Sequence, residues 1–273
     1  MRSFLATAAL TLLAVSPLAS HDFWLVPDAF QVAVNAELGV NGQTSSEFPT
    51  TLSAVTVDRV ASAELVRAGS REPIVALSTR DNSLRLTHRP AQVGQAVVAA
   101  AVHPRSIPES PESFRRYLTL EGAPEALERY EREGILPTDS ITRRYAKYAK
   151  ALVQVGTGGA PAYAELAGHP FEFVPVGDPA DALAGDVLRF RALLFGEPLP
   201  HARVHASVAE SITSDAAIAH SEHETDNAGE FTVPISHHGV WNVRALYILP
   251  APAGSGADWD VHWATFVWEA TAR

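Results

Sequence analysis

The chain has 273 residues, 47% of them hydrophobic and 19% charged, a globular composition that excludes a disordered polypeptide. Its formal charge is −10 and Lys147 and Lys150 are its only lysines, so it lacks the basic footprint of a nucleic-acid-binding protein. It contains no cysteine, which excludes disulfides, thiolate metal sites, a cysteine nucleophile and a lipid-modified terminal cysteine.

Residues 1–20 read as a secretory signal. Arg2 supplies the positive end, residues 4–15 are apolar, and Ser16-Pro17-Leu18-Ala19-Ser20 offers small residues for cleavage. The apolar run is short for a bilayer span, and no later stretch approaches about 20 apolar residues. The expectation is an exported, periplasmic protein without membrane insertion, whose formal charge after cleavage is −11 because only Arg2 is lost. Cleavage after Ser20 exposes His21, whose α-amino and imidazole nitrogens together make a bidentate ligand for Cu(II) or Ni(II). The alternatives are that His21 merely follows the cut, or that the cut falls after Ala19.

Residues 21–105 carry turn signals at Asn41-Gly42, Gly69-Ser70 and Asp81-Asn82, with short alternating runs at 84–87 and 96–102 between and after them. That is the pattern of a small antiparallel β sandwich. Residues 106–156 change character and predict a helical insert and linker. A helix opens at Pro111 with Ser110 as its cap, and a second covers 124–132 and stops at Gly134. A third is expected over 140–153, because Ile141, Tyr145, Tyr148 and Leu152 are spaced 4, 3 and 4 apart and would dock one face on a sandwich. Thr157-Gly158-Gly159-Ala160-Pro161 reads as a flexible joint. Residues 170–271 are a second all-β segment, with apolar runs at 171–175, 187–193, 202–208, 231–235, 241–249 and 265–269.

Histidine is the most informative residue. Seven of the 11 follow residue 200: His201, His205, His220, His223, His237, His238 and His262. His201, Arg203 and His205 share one face of a strand, since strand side chains alternate. His220-Ser221-Glu222-His223-Glu224 reads as a loop with two imidazoles and two carboxylates, and His237-His238-Gly239 as a turn before a strand. Imidazole and carboxylate suit Zn, Cu, Ni and Co, although no spacing is diagnostic of one metal. There is no GxSxG elbow, phosphate loop or dinucleotide fingerprint. The 31 acids single out no glycosidase pair. Trp24, Trp241, Trp259, Trp263 and Trp268 could form a stacking platform, with core packing the reading for Trp241 and Trp268.

His21-Asp22-Phe23-Trp24-Leu25-Val26-Pro27 after a signal resembles the start of a periplasmic family of unknown function, itself related to the periplasmic component of cobalt and nickel uptake systems. Residues 145–156, 171–175, 225–231, 239–241 and 258–264 also resemble that family, so the likeness runs over nearly the whole mature chain. It implies two Ig-like or transthyretin-like β sandwiches and a role in handling divalent metal, nickel or cobalt above copper or zinc. His21 matches the family's leading histidine and His103 one at the end of the first β segment. Tyr247 stands where the family is expected to carry histidine, and the His220–His223 segment lies outside its usual pattern. A glycoside hydrolase is also associated with the family, without a catalytic pair here.

The expected function is therefore non-catalytic binding of a divalent transition metal for uptake, with a membrane transporter component as partner. The expected ligands are His21, His103, His205 and His262, followed by His220, His223, His237 and His238. A β scaffold that binds a protein or envelope partner through the helical insert and exposed tryptophans is the alternative, and a cell-wall glycoside hydrolase the weaker one.

Overall fold

Runs rich in valine, aromatic and other apolar residues, punctuated by glycine and proline, build most of this chain as strands. The computed structural model describes residues 21–121 and 124–272; the expected signal, residues 1–20, lies outside them. The first half contains β1 (Asp22–Pro27), β2 (Gln31–Val32), β3 (Leu38–Ser45), β4 (Ser53–Ala54), β5 (Val60–Arg67), β6 (Ser70–Pro73), β7 (Ala76–Arg80), β8 (Ser83–His88) and β9 (Gly94–Glu109). Helices α1 (Pro111–Leu120) and α2 (Pro124–Glu133) follow, then β10 (Ile141–Val155). The second half adds β11 (Phe171–Pro175), β12 (Val187–Leu194), β13 (Glu197–Pro198), β14 (Arg203–Ala209), β15 (Ala219–Glu224), β16 (Glu230–Pro234), β17 (Gly239–Pro250) and β18 (Trp259–Ala270).

Among the described residues these strands form three sheets. The central one runs β15-β14-β17-β18-β10-β9-β5-β6, with β2 beside the end of β10. A second sheet, β1-β3-β8-β7 with β4, packs on one face, and a third, of β11, β12, β13 and β16, packs on the other. Alternation assigns the faces. Ala96, Val98, Ala100 and Val102 of β9 join the core with Phe23, Leu25 and Leu84. Val97, Ala99 and Ala101 join the core with Phe171, Phe190 and Phe231. The protein is thus an all-β pair of sandwiches, and the pair shares its middle sheet. β10 from the first half and β18 from the second pair in parallel, Arg143 opposite Trp259 through Ala151 opposite Val267.

The first two expected helices are present. Ser110 caps α1 by accepting the Ser113 N–H at 3.1 Å. Phe114, Leu118 and Tyr130 bury Trp259, Val261 and Trp263 at the start of β18. The third expected helix is instead β10, since residues on both its faces are buried between sheets and no single stripe is required. His220–Glu224 lies in strand β15, paired along β14, and is not a loop. The expected joint at 157–161 is tied down: Gln95 N–H donates to the Ala160 carbonyl at 3.0 Å and Gln154 Nε2 to that of Gly158 at 2.9 Å. All five tryptophans are buried, so they form neither a stacking platform nor an exposed contact surface.

Candidate functional site

The start of β1 lies across the central sheet. Thr265 Oγ1 donates to the Phe23 carbonyl at 2.7 Å, and Lys147 Nζ donates to the His21 carbonyl. This anchoring leaves a polar cavity on each side of β1. Asp22 faces one and His21 the other.

The Asp22 cleft measures about 520 Å3 and lies between β1 and the β14–β15 hairpin. Strand register explains its lining. His205 sits opposite Glu222 on β15 and opposite Arg244 on β17; Ser207 sits opposite His220 and Asn242. Directly paired residues share a face, so these six side chains stand together. Arg244 Nε approaches Asp22 Oδ2 at 3.2 Å, while Asp22 Oδ1 is buried without a hydrogen-bond partner. Asn242 Oδ1 is buried and unpartnered as well. His205 Nδ1 lies 3.6 Å from Glu222 Oε1, and His220 Nδ1 lies 3.0 Å from Ser207 Oγ.

The electrostatics favour a cation. Among the described residues lining the cleft, Asp22, Glu47 and Glu222 stand against Arg244, and Arg203 beyond the lining pairs with Glu222 at 3.4 Å. Burial, reinforced by the Arg244 charge, lowers the His205 pKa to about 4, which keeps its imidazole neutral and able to donate a lone pair. Burial raises the Asp22 pKa, with Arg244 and Lys147 opposing. Two unpartnered acceptor oxygens on residues of one polar cleft are unusual, and each calls for a donor or a cation.

The structure brings His205 and His220 together and separates the other expected ligands. His21 lines the opposite cavity beside Lys147; its Nδ1 is buried without a partner, and burial followed by the Lys147 charge lowers its pKa. His103 is exposed on β9, where its carbonyl accepts from Arg59 Nη2 at 2.9 Å. His262 points to the other face of the central sheet. There it stacks on Tyr148 with ring centroids 6.0 Å apart, meets Phe195 edge-on, and sits opposite Tyr247. His223 also turns to that face, near Phe231. His237 and His238 are exposed in the turn before β17. His21, His103, His205 and His262 therefore do not converge, and among the described residues no three His, Asp or Glu side chains stand as a ready metal-holding group. Sequence reasoning missed Asp22, Asn242 and Arg244 as cleft residues; a polar pair at alternate positions of the apolar strand 240–249 was the available signal.

The fold and the cleft define an all-β sandwich protein with a small, acceptor-rich polar site. The chain belongs to the family described as a domain of unknown function, DUF4198, which it matches over residues 18–249. No curated protein sequence matches it. Among solved structures it is similar to the D0-D1 domain of intimin at 11% identity and a TM-score of 0.21, over 92% of this chain and 98% of that one. A Salmonella alpha-2-macroglobulin mutant is similar at 13% identity and a TM-score of 0.25, over 92% of this chain and 15% of that one. The full ectodomain of mouse nectin-like molecule 4 is similar at 10% and 0.21, over 93% of this chain and 65% of that one. Likenesses at such scores carry no argument about function. No helix among the described residues is long and apolar enough to cross a membrane.

Proposed function

We propose that this protein is an exported, non-catalytic periplasmic binding protein for a divalent transition ion, nickel or cobalt above copper or zinc, acting in uptake. The observation that carries the reading is the pair of unpartnered buried oxygens, Asp22 Oδ1 and Asn242 Oδ1, in residues that line one cleft with the imidazoles His205 and His220. Neutral imidazole nitrogen with carboxylate oxygen is the donor set such ions take when no thiolate is present. Closing the site requires rotation of the exposed His220 and Glu222 side chains, which the strand edge permits. A transporter component is the partner this reading implies.

A terminal chelate at His21 is the second reading, favoured by its unpartnered Nδ1 and opposed by the adjacent Lys147 ammonium. One experiment separates the two. The processed protein is stripped of metal, its N-terminus is fixed by intact mass, and Ni, Co, Cu and Zn are titrated by calorimetry. The cleft reading expects micromolar or tighter binding that weakens about tenfold or more in His205→Ala, a loss of about 1.4 kcal/mol, and is unchanged in His21→Ala. Loss only in His21→Ala transfers the site to the terminus. Absence of binding for all four ions refutes both readings.

A further inference from the structure

The cavity on the His21 side of β1 has no part in the metal cleft at Asp22 and His205, and its chemistry is of opposite sign. It measures about 400 Å3 and is lined by Arg59, Arg105, Arg143 and Lys147, with Asp58 the only carboxylate among the described residues of its lining. Arg143 is already neutralised. Its guanidinium grips Glu109 at 2.7 and 3.1 Å, both side chains being buried, and lies over the Tyr117 ring at 3.7 Å. Arg59, Arg105 and Lys147 then face one carboxylate, an excess of two positive charges in a chain whose formal charge is −10.

The sheet is built to produce this convergence. Between β9 and β10 the register steps from Arg105 opposite Tyr145 to Val102 opposite Lys147, so the β9 strand is bulged at His103 and Pro104. The register of β5 against β9 shifts at the same level, between Val60 and Ser62. Bulges bend a strand and re-aim its side chains, and here they turn Arg105 toward the cavity that Lys147 lines. Lys147 is only 8% exposed, and the His21 carbonyl takes one of the three N–H bonds of its ammonium. Asp22, on the other side of β1, acts on Lys147 through space but holds its close ion pair with Arg244 at 3.2 Å. Burial lowers the Lys147 pKa to about 8 against the pull of Asp22 and Glu121, and an anion in the cavity would favour its charged form and take its spare donors. Val55, Val102 and Ile107 give the wall an apolar part beside the hydroxyls of Thr44, Ser53, Thr56 and Tyr145, a mixed surface that can take carbon as well as oxygen.

We infer that this cavity binds a small organic dicarboxylate, its carboxylates held by Lys147 and Arg105 and its carbon chain laid against Val55, Val102 and Ile107. The site is independent of the metal cleft, and the test uses metal-free protein so that failure of one leaves the other standing.

Succinate and glutarate are titrated into the full exported chain by calorimetry, with inorganic phosphate and propionate as comparison anions. At least one dicarboxylate is expected to bind about tenfold or more tightly than either comparison anion, and to weaken as salt is added. Lys147→Gln is expected to abolish that binding. Arg105 is exposed, so Arg105→Ser folds regardless of the fate of the lysine variant; it is expected to weaken binding about tenfold at unchanged melting temperature. The inference is overturned if neither dicarboxylate binds by ~10 mM, if phosphate binds as tightly, or if Arg105→Ser leaves the affinity unchanged.

Discussion

Replacing Glu172 by Gln tests how the third sheet and the loop before it are held to the central sheet. Glu172 on β11 and Lys150 on β10 are 4% and 1% exposed, with Oε2 and Nζ 2.8 Å apart. The carboxylate also accepts the Ala167 and Gly168 N–H groups, both at 2.9 Å, while Lys150 donates to the Phe173 carbonyl at 2.9 Å. Glutamine in place of Glu172 removes the charge and aims an N–H2 at one of these donors. Breaking a buried pair on one side costs about 3–5 kcal/mol, because the remaining charge stays buried. At about 2–4 °C per kcal/mol for a chain of this size, the melting temperature falls by roughly 6–20 °C. The double variant Lys150→Met with Glu172→Gln recovers most of the loss. Ala167 and Gly168 donate to different oxygens of Glu172, so the amide keeps one of these bonds and sets its N–H2 against the other donor, but no unpaired charge is left buried. Thermal and urea unfolding of wild type, both single variants and the double give the coupling directly. A Glu172→Gln cost below about 1 kcal/mol, or strict additivity in the double variant, would refute the reasoning.

Three further outcomes are expected. Gly239→Ala destabilises by at least about 2 kcal/mol in urea unfolding, because φ is +131° and the added Cβ would lie 2.3 Å from the Ala209 carbonyl oxygen; a neutral result shows that the β14–β17 contact yields easily. Burial holds His169 and His205 near pKa 4, below their unfolded value of 6.5, so protons bind the unfolded chain first and stability falls as pH drops from 6.5 toward 4. Asp22, with its pKa raised, works with the opposite sign above 3.8; unfolding at pH 7 and pH 5 should still show the loss, reduced in His169→Gln, and equal slopes for variant and wild type would exclude His169 as a source. His262→Ala should leave calorimetric metal affinity within about twofold, since that ring stacks on Tyr148 across the sheet from the cleft; a tenfold loss would move the metal site to the other face.

The two lysines show both what the sequence displayed and what it hid. Turn residues and short apolar runs marked most strands and both helices, because those features depend on neighbours a few residues away. β10 broke the pattern. As an inner strand covered on both faces it needs no alternation, and the chance spacing of Ile141, Tyr145, Tyr148 and Leu152 imitated a helix. The cavities were hidden for a different reason: Arg59, Arg105 and Lys147, or Asp22, His205 and Asn242, meet only through strand register. Yet a chain with two lysines, both inside one apolar run, already poses an electrostatic question, since each amine in a covered strand must find an anion or give up its proton. The structure answers it once for each face. On the face toward β11, Lys150 meets Glu172 and is satisfied within the chain. On the face toward β1, three residues earlier, Lys147 feels Asp22, which Arg244 shares, and lines an open cavity. The same strand thus carries one lysine paired within the chain and one whose pKa burial lowers to about 8, with spare donors that we propose an anion takes.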